Sequence, residues 1–416
     1  MKRYIAFFLA VFLLWGCASS APVSTDPSQE SVATTTVETT TVATETTSAT
    51  EETTLVTTEA TTQPTTQATE PMVAAFDPVE ILESMTLEEK VGQLFLARCP
   101  STDAIGQLQK YHLGGYILFA PDTRDQTKTS LQKKIASYQD ASEIPMLIAV
   151  DEEGGTVCRI SHYTAFRSTR FPSPRQLYDK GGMELVLSTE EEKCILLKEL
   201  GINVNMAPVC DITTKSSAFM YQRSLGQSPE ITGTFASDVC AVMAANGMGS
   251  VLKHFPGYGN NTDTHTGIAK DKRTLEELEN CDLIPFAMAI ESGCDAILVS
   301  HTIVQCMDEK YPASLSPAVH SYLRSEMVFG GVIVTDDLYM QAIKDLYGDG
   351  EAAVLAVLAG NDLLCVTNYA TQYKAVLAAA EQGRIPIEQI DISVERILRW
   401  KHRLGLFGED DLTDIT

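Results

Sequence analysis

Eight short apolar runs rich in β-branched residues, each followed by a polar loop and a helix-length segment, predict an α/β chain closed into a (β/α)8 TIM-type barrel. The runs lie at 92–97, 115–119, 146–150, 203–208, 250–255, 296–300, 331–335 and 362–366. They are short and continuously apolar, as strands covered on both faces must be, and such strands pair in parallel through helical crossovers. The second observation is where the ionisable residues fall. Asp151 follows the third run, Asp211 the fourth, Lys253 and His254 close the fifth, His301 follows the sixth and Asp336 the seventh. A single Asp after a strand is commonly a helix cap. Successive strands that all deliver such groups to one rim form the pattern of a barrel enzyme, whose site is built at the C-terminal ends of its strands. A doubly wound open sheet is the competing architecture. No Gly-x-Gly-x-x-Gly or P-loop accompanies a strand-to-helix turn, so a nucleotide site has no support.

The separators at 129–141, 190–200, 231–246, 283–292, 317–327, 351–359 and 373–382 have helical length and one apolar face. Together with the strands they make one catalytic domain over residues 76–416, a size that suits a single barrel with insertions.

The chain ahead of that domain has a different character. Lys2 and Arg3 precede a largely apolar run at 4–15, which fits the core of an export signal and is shorter than the roughly 20 residues that span a bilayer. Leu14-Trp15-Gly16-Cys17 resembles the lipobox of bacterial lipoproteins, so residues 1–17 are expected to be a signal peptide with Cys17 as the lipid acceptor. An ordinary secretory signal with an incidental Cys is the alternative. Residues 18–75 are dominated by Thr, contain no aromatic residue and show no hydrophobic period, which predicts a disordered stalk of the kind a tether needs. The expected location is extracytoplasmic, anchored by lipid to the outer face of the bacterial cell membrane.

The formal charge of −24 divides as +2 before residue 18, −13 over residues 18–89 and −13 over residues 90–416. With no surplus of Lys and Arg to hold a phosphate backbone, nucleic-acid binding is excluded as a reading. Ten Cys are present, and without Cys17 the other nine contain no C-x-x-C pair. Neither a disulfide framework nor a zinc site is signalled, and most of these thiols read as small buried hydrophobes.

The chemistry is concentrated in the string Lys253-His254-Phe255-Pro256-Gly257-Tyr258-Gly259-Asn260-Asn261-Thr262-Asp263-Thr264-His265-Thr266-Gly267. Asp263 and His265, two apart, can set a carboxylate against an imidazole nitrogen, which fixes the tautomer and supports proton transfer. For an isolated Asp-x-His, metal binding or plain loop polarity is an equal reading. The whole string resembles the K-H-F-P-G-H-G motif and following D-S-H loop of the family 3 glycoside hydrolases, in their single-domain β-N-acetylhexosaminidase branch. The likeness covers residues 80–405 and includes Asp151-Glu152-Glu153-Gly154-Gly155, Arg223-Ser224-Leu225-Gly226 and Thr335-Asp336-Asp337-Leu338.

That resemblance implies roles. Asp336 matches the nucleophile that forms a covalent glycosyl-enzyme, so that two displacements retain configuration. His265 matches the general acid/base, oriented by Asp263. Asp151, Arg159, Arg223, Lys253 and His254 match positions that hold the sugar's hydroxyls and acetamido group, a task suited to forked guanidinium and carboxylate groups. Asp337 is expected to support the site without reacting. Only 15 residues follow Lys401, so no second domain is expected to supply the acid/base as in the two-domain β-glucosidases of the family. Several positions depart from the family pattern: Tyr258 and Asn260 replace a His and a frequent Asp, the stretch 259–263 is one residue shorter, Glu152 replaces Gln, and Thr156 replaces Arg. The last two point to a different aglycone.

The implied activity is that of a retaining exo-β-N-acetylglucosaminidase on peptidoglycan fragments or chitooligosaccharides. The implied chain is a monomer with a GlcNAc-containing saccharide as substrate and no metal or organic cofactor. The alternatives are a β-N-acetylglucosaminide phosphorylase or β-glucosidase of the same family and, from another class, a saccharide-binding lipoprotein without turnover.

Overall fold

The computed structural model describes residues 77–213, 215–261, 263–264, 267–344 and 346–408, all of which belong to one compact unit, Thr69–Thr416. The expected signal peptide with Cys17, the expected stalk, and His265 lie outside the described residues. No helix among the described residues is long and apolar enough to cross a membrane.

Among the described residues ten strands follow in order: β1 (Phe95–Arg98), β2 (Gly115–Leu118), β3 (Leu147–Val150), β4 (Val204–Asn205), β5 (Gly249–Phe255), β6 (Lys270–Asp271), β7 (Ala296–Val299), β8 (Ile303–Val304), β9 (Val332–Thr335) and β10 (Leu364–Val366). β6 and β8 form a small parallel pair of their own. The other eight make one parallel sheet in the order β10-β1-β2-β3-β4-β5-β7-β9. Its ends meet through an isolated bridge between Val334 and Leu363, with Thr335 N–H donating to the Leu363 carbonyl at 3.0 Å. The sheet is therefore the expected barrel, with all eight predicted strands in place.

The boundaries differ from expectation where local chemistry overrides apolar content. Gly92 and Gln93 belong to the helix Leu87–Gln93, because Thr86 and Glu89 form a reciprocal capping box that starts a helix there, and β1 begins only at Phe95. Gly92 has its own reason to be glycine: a Cβ would collide with the carbonyl oxygens of Tyr111 and His112. The predicted helix 190–200 is the end of a longer one, Pro174–Glu199, capped by Ser173 and broken at Gly181 and Gly182, which interrupts the apolar period. The predicted strand 203–208 is regular only over two residues, since Pro208 has no N–H to donate. Its carbonyl still accepts from Lys253 N–H at 3.1 Å, so the pairing with β5 continues along the loop.

The largest core cluster includes Tyr116, Ile148, Val204 and Leu364 of the strands and Trp400 of the last helix, Ile387–Arg403. All nine described cysteines are free, and all but Cys281 and Cys306 are buried, as their apolar surroundings predicted. Asp362, 1% exposed, ties the closing seam: it accepts from Ile333 N–H at 2.8 Å, Ser393 Oγ at 3.0 Å and Arg396 Nη1 at 3.0 Å, and it pairs with Arg324.

Candidate active site

The ends of β3, β4 and β5 carry a connected set of charges. Lys253, 2% exposed in β5, reaches Asp151 Oδ1 at 2.8 Å and Glu153 Oε1 at 2.7 Å. Arg223 takes the same Glu153 in a fork, Nε to Oε2 at 2.9 Å and Nη2 to Oε1 at 2.7 Å. Arg159 stands 3.5 Å from the other oxygen of Asp151. Next along β5, His254 Nδ1 lies 2.7 Å from Asp211 Oδ2, and its Nε2 lies 3.3 Å from Arg223 Nη2. A guanidinium can only donate, so these partners assign the proton to Nδ1 and leave Nε2 as the acceptor.

Pairing decides the ionisation of this cluster. Burial alone would neutralise Glu153, but Arg223 and Lys253 outweigh it and hold the carboxyl far below the usual range. Burial likewise pulls the Lys253 ammonium down, and Asp151 and Glu153 more than reverse it, leaving its pKa above the ordinary value. Glu153, Lys253 and Arg223 therefore stay charged in spite of their burial. The Arg159 Nε atom is buried and has no hydrogen-bond partner, so this guanidinium is only partly engaged by the protein.

Opposite elements carry the candidate nucleophile. Asp336 follows β9, its amide donating to the Val299 carbonyl at 3.2 Å and its Oδ1 accepting from Asp337 N–H at 2.9 Å. It is half-buried. Its neighbour is tied to the protein: Asp337 accepts from Thr367 Oγ1 at 2.7 Å and Tyr339 N–H at 2.9 Å, and burial, outweighing these bonds, raises its pKa. His301 is fully buried, donates from Nε2 to the Asp337 carbonyl at 3.0 Å and meets Ser314 through Nδ1 at 2.7 Å, so it props the Asp336–Asp337 turn from below. Asp151 directly follows β3 and Asp336 directly follows β9 in the same parallel sheet, so the candidate nucleophile and the charged wall lie at the same end of the barrel; the buried Cys365 thiol in β10 is pushed well up by burial and then by the charges of Asp337, Asp336 and Asp151.

Asp151, Arg159, Arg223, Lys253 and His254 are thus brought together as expected, with Asp336 at the same rim. Asp263 is half-buried in the loop after β5, while its expected partner His265 lies outside the described residues. Two further residues belong to the site. Glu153 joins Arg223 to Lys253, and Asp211 orients His254; the first stood inside a quoted motif and the second among the strand-end residues, but their work is to hold other side chains, which spacing does not reveal. Glu152, the acidic replacement, is fully buried and accepts from the amides of Arg159 and Ile160 at 2.8 Å each and of Ser161 at 3.1 Å, besides the Ser161 hydroxyl. It stitches the loop after β3 together, and three amide donors suit a carboxylate better than an amide side chain. The one grouping among the described residues that could reach a common cation, Glu89, His112 and Glu143, lies at the opposite end of the barrel, ahead of β1, β2 and β3.

An eight-stranded parallel barrel with a carboxylate and a cluster of buried ion pairs at the C-terminal ends of its strands has the architecture of a barrel enzyme. Residues 86–400 match the glycosyl hydrolase family 3 N-terminal domain, and the chain belongs to that family. It is 31% identical over 327 residues to beta-hexosaminidase A of Pseudoalteromonas piscicida, which covers 71% of this chain but only 54% of that longer protein. It is 30% identical over 341 residues to beta-hexosaminidase LpqI of Mycobacterium tuberculosis, covering 78% of this chain and 85% of the relative. Among solved structures, a family 3 β-N-acetylglucosaminidase from Paenibacillus sp. FPU-7 superposes with a TM-score of 0.72 at 34% identity, covering 77% of this chain and 63% of that one.

Proposed function

We propose that this protein is a retaining exo-β-N-acetylglucosaminidase. The observation that carries the reading is the convergence of Lys253, Asp151, Arg159, Arg223 and His254 at the rim that also carries Asp336. Vicinal hydroxyls and an acetamido group need several fixed donors and acceptors at once, and a preorganised charged wall supplies them without reorganisation during reaction. Asp336 attacks the anomeric carbon, and the glycosidic oxygen leaves with a proton from His265, which Asp263 orients. His265 then takes a proton from water as water displaces the carboxylate, so the sugar departs with its configuration retained.

Two features support a carboxylate-bearing aglycone, and hence peptidoglycan fragments over chitooligosaccharides. Arg98 at the end of β1 stands 4.8 Å from the centre of the Phe119 ring, which Arg159 approaches to 5.8 Å. A groove of about 740 Å³ runs along the loop after β3 and the helix Pro174–Glu199, where Arg167 is already paired with Glu192 at 2.9 Å and Arg170 and Lys180 are the further cations of the lining. The names of the relatives support a GlcNAc-containing substrate. The basic start, apolar run and Cys17 support export and lipid anchoring, with residues 18–75 as a spacer.

The test is hydrolysis of an aryl β-N-acetylglucosaminide, then product analysis on defined muropeptides with and without phosphate. Release of GlcNAc in both media is the expected outcome. GlcNAc-1-phosphate as the main product would make the enzyme a phosphorylase, and undiminished turnover after Asp336→Ala would remove the nucleophile assignment. The expected loss in Asp336→Ala is on the order of 10⁴-fold in kcat/KM.

A further inference from the structure

The loop after β5 departs from the family pattern at Tyr258, and the structure shows what that residue does. The first half of the loop is fastened at several points. Gly257 takes a φ of +120° where a side chain would collide with Asp282. Its carbonyl accepts from Arg273 Nη2 at 3.3 Å, Asn260 Oδ1 accepts from Thr213 Oγ1 at 2.9 Å and from Lys215 N–H at 3.2 Å, and Asn261 Nδ2 donates to Asp271 at 2.9 Å. Tyr258 is 1% exposed. Its amide donates to Asp211 Oδ1 at 2.7 Å, the carboxylate whose other oxygen orients His254. Its ring meets the His254 imidazole edge-on at 5.3 Å and packs with Phe219, Met220 and Val209. From this fixed position the phenol oxygen accepts from Thr264 N–H at 3.2 Å and shares a hydrogen bond with the Thr264 hydroxyl.

Thr264 is fully buried and is the residue between Asp263 and His265. We propose that the Tyr258 hydroxyl is a positioning latch for the acid/base pair, tying the far end of the shortened loop to the wall that binds the sugar. The latch rests on the reading of Asp263 and His265 given above. It couples recognition to proton transfer, because one carboxylate, Asp211, sets both the His254 ring and the backbone from which Tyr258 reaches. Burial and the nearby charge of Asp336 keep the phenol protonated, so the latch persists across the working range.

A latch of this kind acts only on steps that need the proton. The experiment compares kcat/KM for phenyl and 2,4-dinitrophenyl β-N-acetylglucosaminides in wild type, Tyr258→Phe and Thr264→Val. Phenolate needs protonation to leave and dinitrophenolate does not. In Tyr258→Phe the phenyl substrate is expected to lose roughly 10- to 100-fold, the scale of a mispositioned general acid, and the dinitrophenyl substrate less than about threefold. Thr264→Val, which keeps the amide contact and removes one hydroxyl, is expected to show the same selectivity at smaller size, and it serves alone if Tyr258→Phe does not fold. Equal losses on both substrates, or none on the phenyl substrate, would overturn the latch. His265→Gln separates the two ideas. If it discriminates between the leaving groups and Tyr258→Phe does not, only the latch is wrong; if His265→Gln does not discriminate, the acid/base reading fails and the latch fails with it.

Discussion

Two buried lysines at opposite ends of the barrel meet opposite electrostatic fates. Lys253 at the rim is 2% exposed and Lys401 at the other end is fully buried, so both have given up nearly all their hydration. Lys253 is met by two carboxylates and keeps its charge. Lys401 has the Gln93 side-chain oxygen at 2.6 Å, and burial alone lowers its pKa to about 7. Since burial is common to both, the partner decides whether a proton stays. Charge is concentrated at the rim proposed to bind the sugar, while the opposite end uses an ionisable residue as a long, polar-tipped filler.

Breaking the paired end is expected to have the larger effect. Lys253→Met leaves Asp151 and Glu153 sharing less positive charge in a dry site, and a broken buried pair costs about 3–5 kcal/mol. The unfolding free energy from urea titration should fall by that amount, together with loss of aryl glycoside hydrolysis; a value within error of wild type would mean that the wall is hydrated and soft.

At the other end the sign reverses. The unfolded chain holds the Lys401 proton up to its ordinary pKa of 10.5, and the folded chain releases it near 7, so between these values unfolding takes up a proton and stability rises with pH. The cost is present in full below pH 7 and absent above 10.5, and at neutral pH it amounts to roughly 4 kcal/mol. Lys401→Met removes this cost and forfeits one hydrogen bond to Gln93, for a net gain of about 2 kcal/mol at pH 7 and a flatter stability profile from pH 7 to 10 than wild type. Gln93→Glu sharpens the contrast, since a supplied carboxylate should also abolish the slope. A wild-type slope retained in Lys401→Met would assign it to another group.

The smallest expected effect lies between these extremes, in a neutral contact. Thr367→Val removes the hydroxyl that Asp337 accepts, which should cost about 1 kcal/mol of stability and a few-fold in kcat, read by thermal melting and steady-state kinetics. No change in either would show that the Asp336–Asp337 turn is held by backbone alone.

The strands were legible because each is a buried apolar run, and the rim because a barrel puts strand ends at its site. What the pattern hid was governed by local or long-range bonds. The capping box at Thr86 turned an apolar strand start into helix, and the Gly181–Gly182 break concealed half of the helix Pro174–Glu199. Glu153 and Asp211 act on other side chains from different strands, which no spacing along one chain encodes. Tyr258 looked like a loss of a family histidine, whereas the folded loop makes it the point from which Thr264 is held.

The seam at Asp362 has a consequence for the order of assembly. Phe95 of β1 pairs with Leu364 of β10, close to the two ends of the folded chain, and such distant pairings form late and slowly. The carboxylate that fastens the seam takes its partners from Arg324, Ser393 and Arg396 as well as from β9. The ring is buckled by its last-made segment. A chain cut before Ser393 would carry every residue of the candidate active site and lose two of the four partners that hold Asp362.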